Sequence, residues 1–337
     1  MKAWSIEGQF GFDHLELVER QEPAPGPGQL RLKMHSATLN FRDLLMIQGL
    51  YNPRQPLPLV PCSDGVGTVV EVGQGVDESW LDKRVMPIFA QEWTSGEPTK
   101  AKLKTTLGGP RAGTLSEEMV VDAAGVVEAP DYLSDAEAAA LPCAAVTAWN
   151  ALVEQGGVTA GDTVLTLGTG GVSTFAIQIA SALGAEVIAT SSSDEKLERA
   201  KALGADHGIN YVDDEEWGKT AKKITGGRGV DHVVEVGGAG TLAQSTKAVR
   251  IGGQISLIGV LSGNMEDFNI VPILMQNIRI QGVLVGHREM FERMARAFAV
   301  NEIHPEIDRV FEIDEVHQAF ERMADGAHLG KIAVDLG

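Results

Sequence analysis

The chain has 337 residues, enough for two domains at about 100–200 residues each. With 44% hydrophobic and 22% charged residues it holds ample apolar material for a core, which excludes disorder as its main state. A net charge of −18, from 28 Lys and Arg against 46 Asp and Glu, excludes nucleic acid and anionic membrane surfaces as natural partners.

The first third reads as short β elements broken by Pro and Gly. Pro23–Gly28 is turn material. Leu30–Met34 alternates apolar and basic residues as a half-buried strand, and Gly67–Gly73 is a strand bracketed by glycines. Several short strands with turn signals point to a barrel or sandwich. From about Ser134 the texture changes. Asp135–Leu141 favours a helix with Ser134 as its N-cap. Strands and helices then alternate: Thr163–Leu167 (strand), Val172–Leu183 (helix, apolar at Val172, Ala176, Ile179 and Leu183), Glu186–Thr190 (strand) and Asp194–Leu203 (helix). Asp231–Val236, Gln254–Gly259 and Ile278–Val285 read as further strands, Arg288–Val300 and Ile313–Ala324 as helices, and Lys331–Leu336 as a closing strand. This alternation predicts an α/β fold with a doubly wound parallel sheet.

Cys62 and Cys143, the only cysteines, cannot build a disulfide framework or a four-cysteine zinc site. The 39 glycines point to tight turns and close backbone approaches to a ligand. No apolar run reaches about 18 residues, and Met1–Ser5 opens a polar segment without a signal core. The expectation is a cytoplasmic enzyme or binding protein with no membrane partner.

The strongest local signal is Gly168-Thr169-Gly170-Gly171-Val172-Ser173, set between a predicted strand and a predicted helix. Gly168 permits the turn, Gly170 lets the backbone approach a pyrophosphate, and the helix N-terminus beyond supplies N–H groups and a positive dipole end. Ser173 stands at the third glycine position and is small enough for close helix–strand packing. An acid at the end of the next strand would grip the ribose 2′-OH of NAD. Ser191 stands there, followed by Ser192, Ser193 and, one turn on, Lys196. Hydroxyls and a lysine accept a 2′-phosphate, which favours NADP over NAD; the alternative is that the serines only cap the next helix.

Asn40-Phe-Arg-Asp43, Val60–Gly67, Leu141–Trp149, Leu167–Ser173 and Gly330-Lys-Ile-Ala333 together resemble a medium-chain dehydrogenase/reductase along nearly the whole chain. The resemblance implies a GroES-like β-barrel catalytic domain (1–144), a Rossmann cofactor domain (145–286) and a return segment completing the catalytic domain (287–337), with the active site between the domains. It also implies a homodimer through edge strands, here Ile278–Val285. Zinc members of the family carry catalytic ligands at three matched positions, which here hold Asn40, Ser63 and Cys143. One thiol cannot replace three protein ligands, and the lobe around 90–112 contains no cysteine. The chain therefore resembles the zinc-free branch, with quinone oxidoreductases and enone reductases. A partial soft-metal site from Cys62 and Cys143 is the alternative to two buried thiols. The loop Gly168–Ser173 lacks the longer Ala/Gly run of quinone oxidoreductases and is more like alcohol dehydrogenases.

Without a metal, hydrogen-bond donors must stabilise the charge that develops on a substrate oxygen. Asn40, Tyr51, Arg42 and Ser63 are the candidates, Asn40 first; the Asn40, Asp43, Gly49 and Tyr51 pattern resembles a quinone oxidoreductase cleft. Arg42 has the alternative of pairing with Asp64 or Asp43, and Asp43 orients neighbours. By resemblance Thr147 packs on the nicotinamide, Gly259, Val260, Val285 and Gly286 run past its carboxamide, and Tyr211 contacts the adenosine phosphate. Arg288 meets a phosphate or caps the adjacent helix. The basic cluster Lys100–Lys104 with Arg111 steers an anion or is a solvated loop, and Trp93 beside it lines the pocket. The function implied is hydride transfer from NADPH to a quinone or conjugated carbonyl. The alternatives are an NAD(P)-linked alcohol or aldehyde dehydrogenase, for which no base is evident, and a cofactor-binding protein without turnover.

Overall fold

The apolar segments after residue 160 line up side by side and all run the same way. Thr163–Leu167 and Val230–Glu235 are buried at every residue, as a strand covered on both faces requires. The sheet order is His207–Asn210, Glu186–Ser191, Thr163–Leu167, Val230–Glu235, Val249–Leu257, Arg279–Gly282. Each adjacent pair is parallel. The chain winds outward from Thr163–Leu167 in one direction and then from Val230–Glu235 in the other, which makes the gap between these two strands the switch point of a doubly wound sheet. This computed structural model describes residues 1–337, and the sheet lies in a compact unit formed by Thr147–Val285.

The helix predicted at Val172–Leu183 spans Gly171–Ala182, with Gly170 as its N-cap. It buries Phe175, Ala176, Ile177, Ile179 and Ala180, more of its circumference than one stripe. The strand predicted over Ile278–Val285 shrinks to Arg279–Gly282. Asn277 at φ 52° and Val285 at φ 43° hold left-handed backbone that no ladder accepts, so they bound it on both sides.

The other unit comprises Met1–Val146 with Gly286–Gly337. Its central strand, Gln29–Thr38, buries Leu30, Leu32 and Met34 on alternate positions. It pairs with Asp64–Val72, with Glu118–Asp122 at its start and with Lys331–Asp335 at its end, all antiparallel. Arg84–Pro87 and Val126–Glu128 extend the sheet on one side and Ile307–Glu312 on the other. Phe320, Ile6, Leu15 and Ile332 complete the core beneath it. The helix begun by Ser134, with its reciprocal Glu137 cap, ends at Ala139, not Leu141. Pro142 has no N–H to give, and the chain continues as a wider helical turn, Leu141–Ala145. Pairing of Ala333 with Thr38 carries Lys331 to the segment that follows Thr38, where Asn40 begins a short helix.

Candidate active site

In the Thr147–Val285 unit the chain turns sharply after Thr163–Leu167. Gly168, at φ 71°, takes a conformation a side chain would strain. Its N–H donates to Thr190 Oγ1 at 3.2 Å, tying the turn to the end of the neighbouring strand. Thr169 is buried, Gly171 begins the helix, and Val172 is half-buried behind it. Ser173 fits its position by donating its hydroxyl to Leu167 O at 2.7 Å. Gly170 differs from these: its φ is −78°, and a Cβ built there meets no atom within 4 Å. Packing within the protein therefore does not require glycine at this position, whereas a pyrophosphate lying on the open first-turn N–H groups would.

Ser191 closes the second strand, buried, its Oγ accepting from Ser193 N at 3.4 Å and its carbonyl from Tyr211 N at 3.0 Å. Ser193 caps the next helix by accepting from Lys196 N, so the capping role weighed from the sequence belongs to Ser193. Ser192 and Tyr211 are exposed. At the switch point Glu235 is fully buried and accepts from Gly237 N, Gly238 N, Thr241 Oγ1 and Ser245 Oγ at 2.5–3.0 Å. Its carbonyl accepts from Ile258 N and Gly259 N, which sets Gly259 and the half-exposed Val260 beside it. An open groove lined by Gly238, Ala239, Leu257 and Val260 lies there. Asn150 Nδ2 donates to Val285 O at 2.6 Å and pins that residue's left-handed backbone; Thr147 is buried.

In the other unit Asn40, half-buried, opens the Phe41–Ile47 helix. Its N–H donates to Asp43 Oδ2 at 2.8 Å, and its Nδ2 turns inward to Ser63 Oγ at 3.4 Å. Ser63 is fully buried and donates to Asp64 Oδ1. Lys331 Nζ donates to Leu39 O at 2.8 Å, Asn40 Oδ1 at 2.6 Å and Asp64 Oδ2 at 3.1 Å. Arg42 pairs with Asp43, not Asp64, donates to the carbonyls of Leu107 and Gly109, and is stacked between the rings of Tyr51 and Phe89 at 5.0 Å from each. Arg42 and Ser63 thus face inward, behind Asn40, and Tyr51 stays exposed. Burial lifts Asp43 to about 6 against the pull of Arg42, and lifts Asp64 against the pull of Lys331. Burial, with the nearby Asp64 adding to it, also pushes the Cys143 thiol far up, and burial does the same to Cys62.

Residues 26–131 match the alcohol dehydrogenase GroES-like domain family and residues 171–300 the zinc-binding dehydrogenase family. A zinc-type alcohol dehydrogenase-like protein of Schizosaccharomyces pombe is 43% identical, over 97% of this chain and 96% of that protein. The chain belongs to the medium-chain dehydrogenase/reductase superfamily. It is similar, too, to an acryloyl-coenzyme A reductase of Metallosphaera sedula, 28% identical over 98% of this chain and 99% of that one. A solved structure of an NAD-dependent alcohol dehydrogenase is 32% identical, covers both chains fully and superposes with a TM-score of 0.92. The architecture is therefore α/β with a GroES-like N-terminal domain and a Rossmann-type sheet, and the chain is an NAD(P)-dependent oxidoreductase.

Three further features singled out in the sequence have local partners. Arg288 pairs with Glu292 at 2.8 Å and donates to Ala124 O. Trp93 is buried, its indole N–H on Gly96 O, with its ring against His287. Within the basic cluster Arg111 pairs with Glu92 and Asp122, and Lys102 donates to the carbonyls of Ser95 and Glu97. Sequence reasoning missed Lys331, Asn150 and Glu235. An isolated carboxylate before Gly237-Gly238 was the one available signal for Glu235, since buried acids need donors supplied by the next turn.

Proposed function

We propose that this oxidoreductase reduces a quinone or a conjugated carbonyl with NADPH and without zinc. The observation that carries this is the set of groups around Asn40. Its amide oxygen faces an ammonium, Ser63 is buried against Asp64, and Cys143 is the one thiol among the three positions. Such a set offers a neutral hydrogen-bond donor and does not fit a metal that takes three protein ligands. The open backbone at Gly170 fits the pyrophosphate of the dinucleotide, with Gly168, Thr169, Gly171 and Val172 forming the turn. Ser191, Ser192 and Lys196 are assigned to the 2′-phosphate, Tyr211 to the adenosine side, and Thr147, Gly259, Val260 and Val285 to the nicotinamide.

A dinucleotide held by these residues would supply the hydride. Asn40 Nδ2 donates to the substrate oxygen as negative charge gathers on it, with Tyr51 on the exposed side. Solvent supplies the proton that completes a saturated carbonyl or a hydroquinone. Arg42 and Asp43 hold the Asn40 helix in place. The protein works as a homodimer through the open edge at Arg279–Gly282, beside which Leu274 and Met275 are exposed. A second reading, NAD-linked alcohol oxidation, is supported by the likeness to the NAD-dependent alcohol dehydrogenase structure.

The test is turnover of chelator-treated protein, checked for metal content, on an ortho-quinone, an α,β-unsaturated aldehyde and a primary alcohol. Reduction of the first two with NADPH, unchanged by chelator or added zinc, is expected. Alcohol oxidation that appears only when zinc is returned would overturn the proposal.

A further inference from the structure

Lys331 sits where a charged residue is costly unless every donor is used. Its side chain is 3% exposed, and its three ammonium N–H groups go to Leu39 O, Asn40 Oδ1 and Asp64 Oδ2. Asp64 is equally buried, and its carboxylate is completed by Ser63 Oγ at 3.3 Å and Thr38 Oγ1 at 3.5 Å. Nothing in this arrangement is required to pair the sheet, because the strand's backbone ladder holds Lys331–Asp335 without the lysine head group.

The ammonium has a specific consequence for Asn40. A carboxamide has an acceptor end and a donor end of almost the same shape, and in most surroundings it can turn over. An ammonium has donors only. Facing it, Asn40 must present Oδ1; turned over, its NH2 would meet Lys331 with hydrogen against hydrogen and lose a charge-assisted bond. The backbone of Asn40 is fixed separately, by its N–H on Asp43 Oδ2. With both backbone and amide held, Nδ2 is always the donor end, directed to Ser63 Oγ at 3.4 Å with the Asp64 carboxylate beside it. The cation on Oδ1 also draws electrons from the amide and strengthens that donor.

We propose that Lys331 is the positioning residue of this active site, an internal cation that locks the Asn40 carboxamide with Oδ1 on the ammonium and Nδ2 on the Ser63 side, the end assigned to the substrate oxygen. The proposal rests on the assignment of Asn40 as the oxyanion donor, and the two fail differently.

The experiment is a double-mutant cycle of Asn40→Ala and Lys331→Met, with kcat and KM for an ortho-quinone and an α,β-unsaturated aldehyde, the Kd for NADPH by fluorescence, and Tm. Lys331→Met alone is expected to lower kcat about 10–100-fold, the range typical of supporting partners of a reacting group, with the NADPH Kd unchanged. Lys331→Arg should recover most of the loss. In an Asn40→Ala background Lys331→Met should change kcat by less than about twofold, since the residue it orients is gone. Independent, multiplying losses would overturn the proposal, because they would mean that Lys331 acts on something other than Asn40. If Asn40→Ala alone leaves kcat intact, the donor assignment itself is wrong and Lys331 has nothing to orient.

Should Lys331→Met not fold, the double variant Lys331→Met with Asp64→Asn removes both charges of the pair and leaves neither uncompensated; the same loss of kcat is expected of it. A readout without turnover is the side-chain NH2 of Asn40 in 15N-labelled protein, identified by its disappearance in Asn40→Ala. Lys331→Met should shift both of its proton signals and Lys331→Arg leave them near their original positions. Signals indifferent to Lys331→Met would show that no lock exists.

Discussion

Gly170→Ala separates folding from cofactor binding at one carbon atom. The backbone there has φ −78° and ψ −177°, open to any residue, and the new methyl meets no protein atom within 4 Å. Gly170 is the N-cap of the Gly171–Ala182 helix, where alanine is a poorer cap, costing about 0.5–1 kcal/mol. Against this, removing a glycine restricts the unfolded chain and returns about 0.4–1 kcal/mol. The two nearly cancel, so Tm should stay within about 3 °C of wild type for a protein of this size. Binding is another matter. If the pyrophosphate lies on this turn, the methyl fills space the ligand needs, and overpacking of that kind costs about 1–3 kcal/mol. That is about 5–150-fold in Kd. The assay is fluorescence titration with NADPH and with NADH, backed by the rise in Tm that saturating cofactor gives, which should shrink in the variant. Both dinucleotides should weaken together, because the pyrophosphate is common to them. Kd values within about twofold of wild type, with Tm unchanged, would refute the placement of the pyrophosphate at Gly170. Gly168→Ala is the contrasting case: at φ 71° it strains the turn by about 1–2 kcal/mol and should lower Tm without any ligand.

Two further outcomes follow from single carboxylates. Ser191→Asp places a charge beside the proposed 2′-phosphate; at about 5 Å and an effective dielectric near 20 the repulsion is about 3 kcal/mol, so NADPH should bind about 100-fold more weakly while NADH does not, and equal effects on both would remove Ser191 from the phosphate site. Asp231 is buried, which raises its pKa, but Arg228, Arg250 and Thr163 N–H outweigh this and hold it well below the usual carboxylate range. Its stabilisation is therefore complete above about pH 4 and is lost as the pH falls toward its folded-state value. Asp231→Asn should cost about 2–4 kcal/mol in urea unfolding at pH 7 and distinctly less at pH 3.5; a deficit that does not shrink with acid would show that charge is not what Asp231 contributes.

The Thr147–Val285 unit was legible because its signals are local. Gly168, Gly170, the apolar Thr163–Leu167 and the serine-ended Glu186–Ser191 each declare a turn, a ligand approach or a buried strand within a dozen residues. The substrate half was legible in its parts but not in its wiring. Asn40 and Ser63 stand in recognisable segments, yet the group that organises them lies 291 and 267 positions away from Asn40 and Asp64 in sequence. In Gly330-Lys-Ile-Ala, a lysine next to a glycine at a strand start has the pattern of a solvated end; only the pairing of Lys331–Asp335 with Thr38 turns it inward. Arg42 shows the same limit on a smaller scale. Two acids were within reach in sequence, and the choice of Asp43 was made by the carbonyls of Leu107 and Gly109, which draw the guanidinium to its own side.

Charge balance ties these parts together. Around Asn40 two carboxylates, Asp43 and Asp64, face two cations, Arg42 and Lys331, and all four are largely or wholly buried. The cluster is neutral as it stands. A divalent ion added to it would bring two uncompensated charges into a region already balanced by these four groups. What the pairing holds in place is a buried polar surround in which Nδ2 is the donor end of Asn40. A donor preorganised in such surroundings stabilises a developing oxyanion far better than the same amide in water, which is the physical ground for proposing carbonyl or quinone reduction over alcohol oxidation. The alcohol reaction would need a group to take up the hydroxyl proton. Of the buried carboxylates here, Asp43 is held by Asn40 N–H and Arg42, and Asp64 by Ser63 and Lys331, so neither is free to serve as that base.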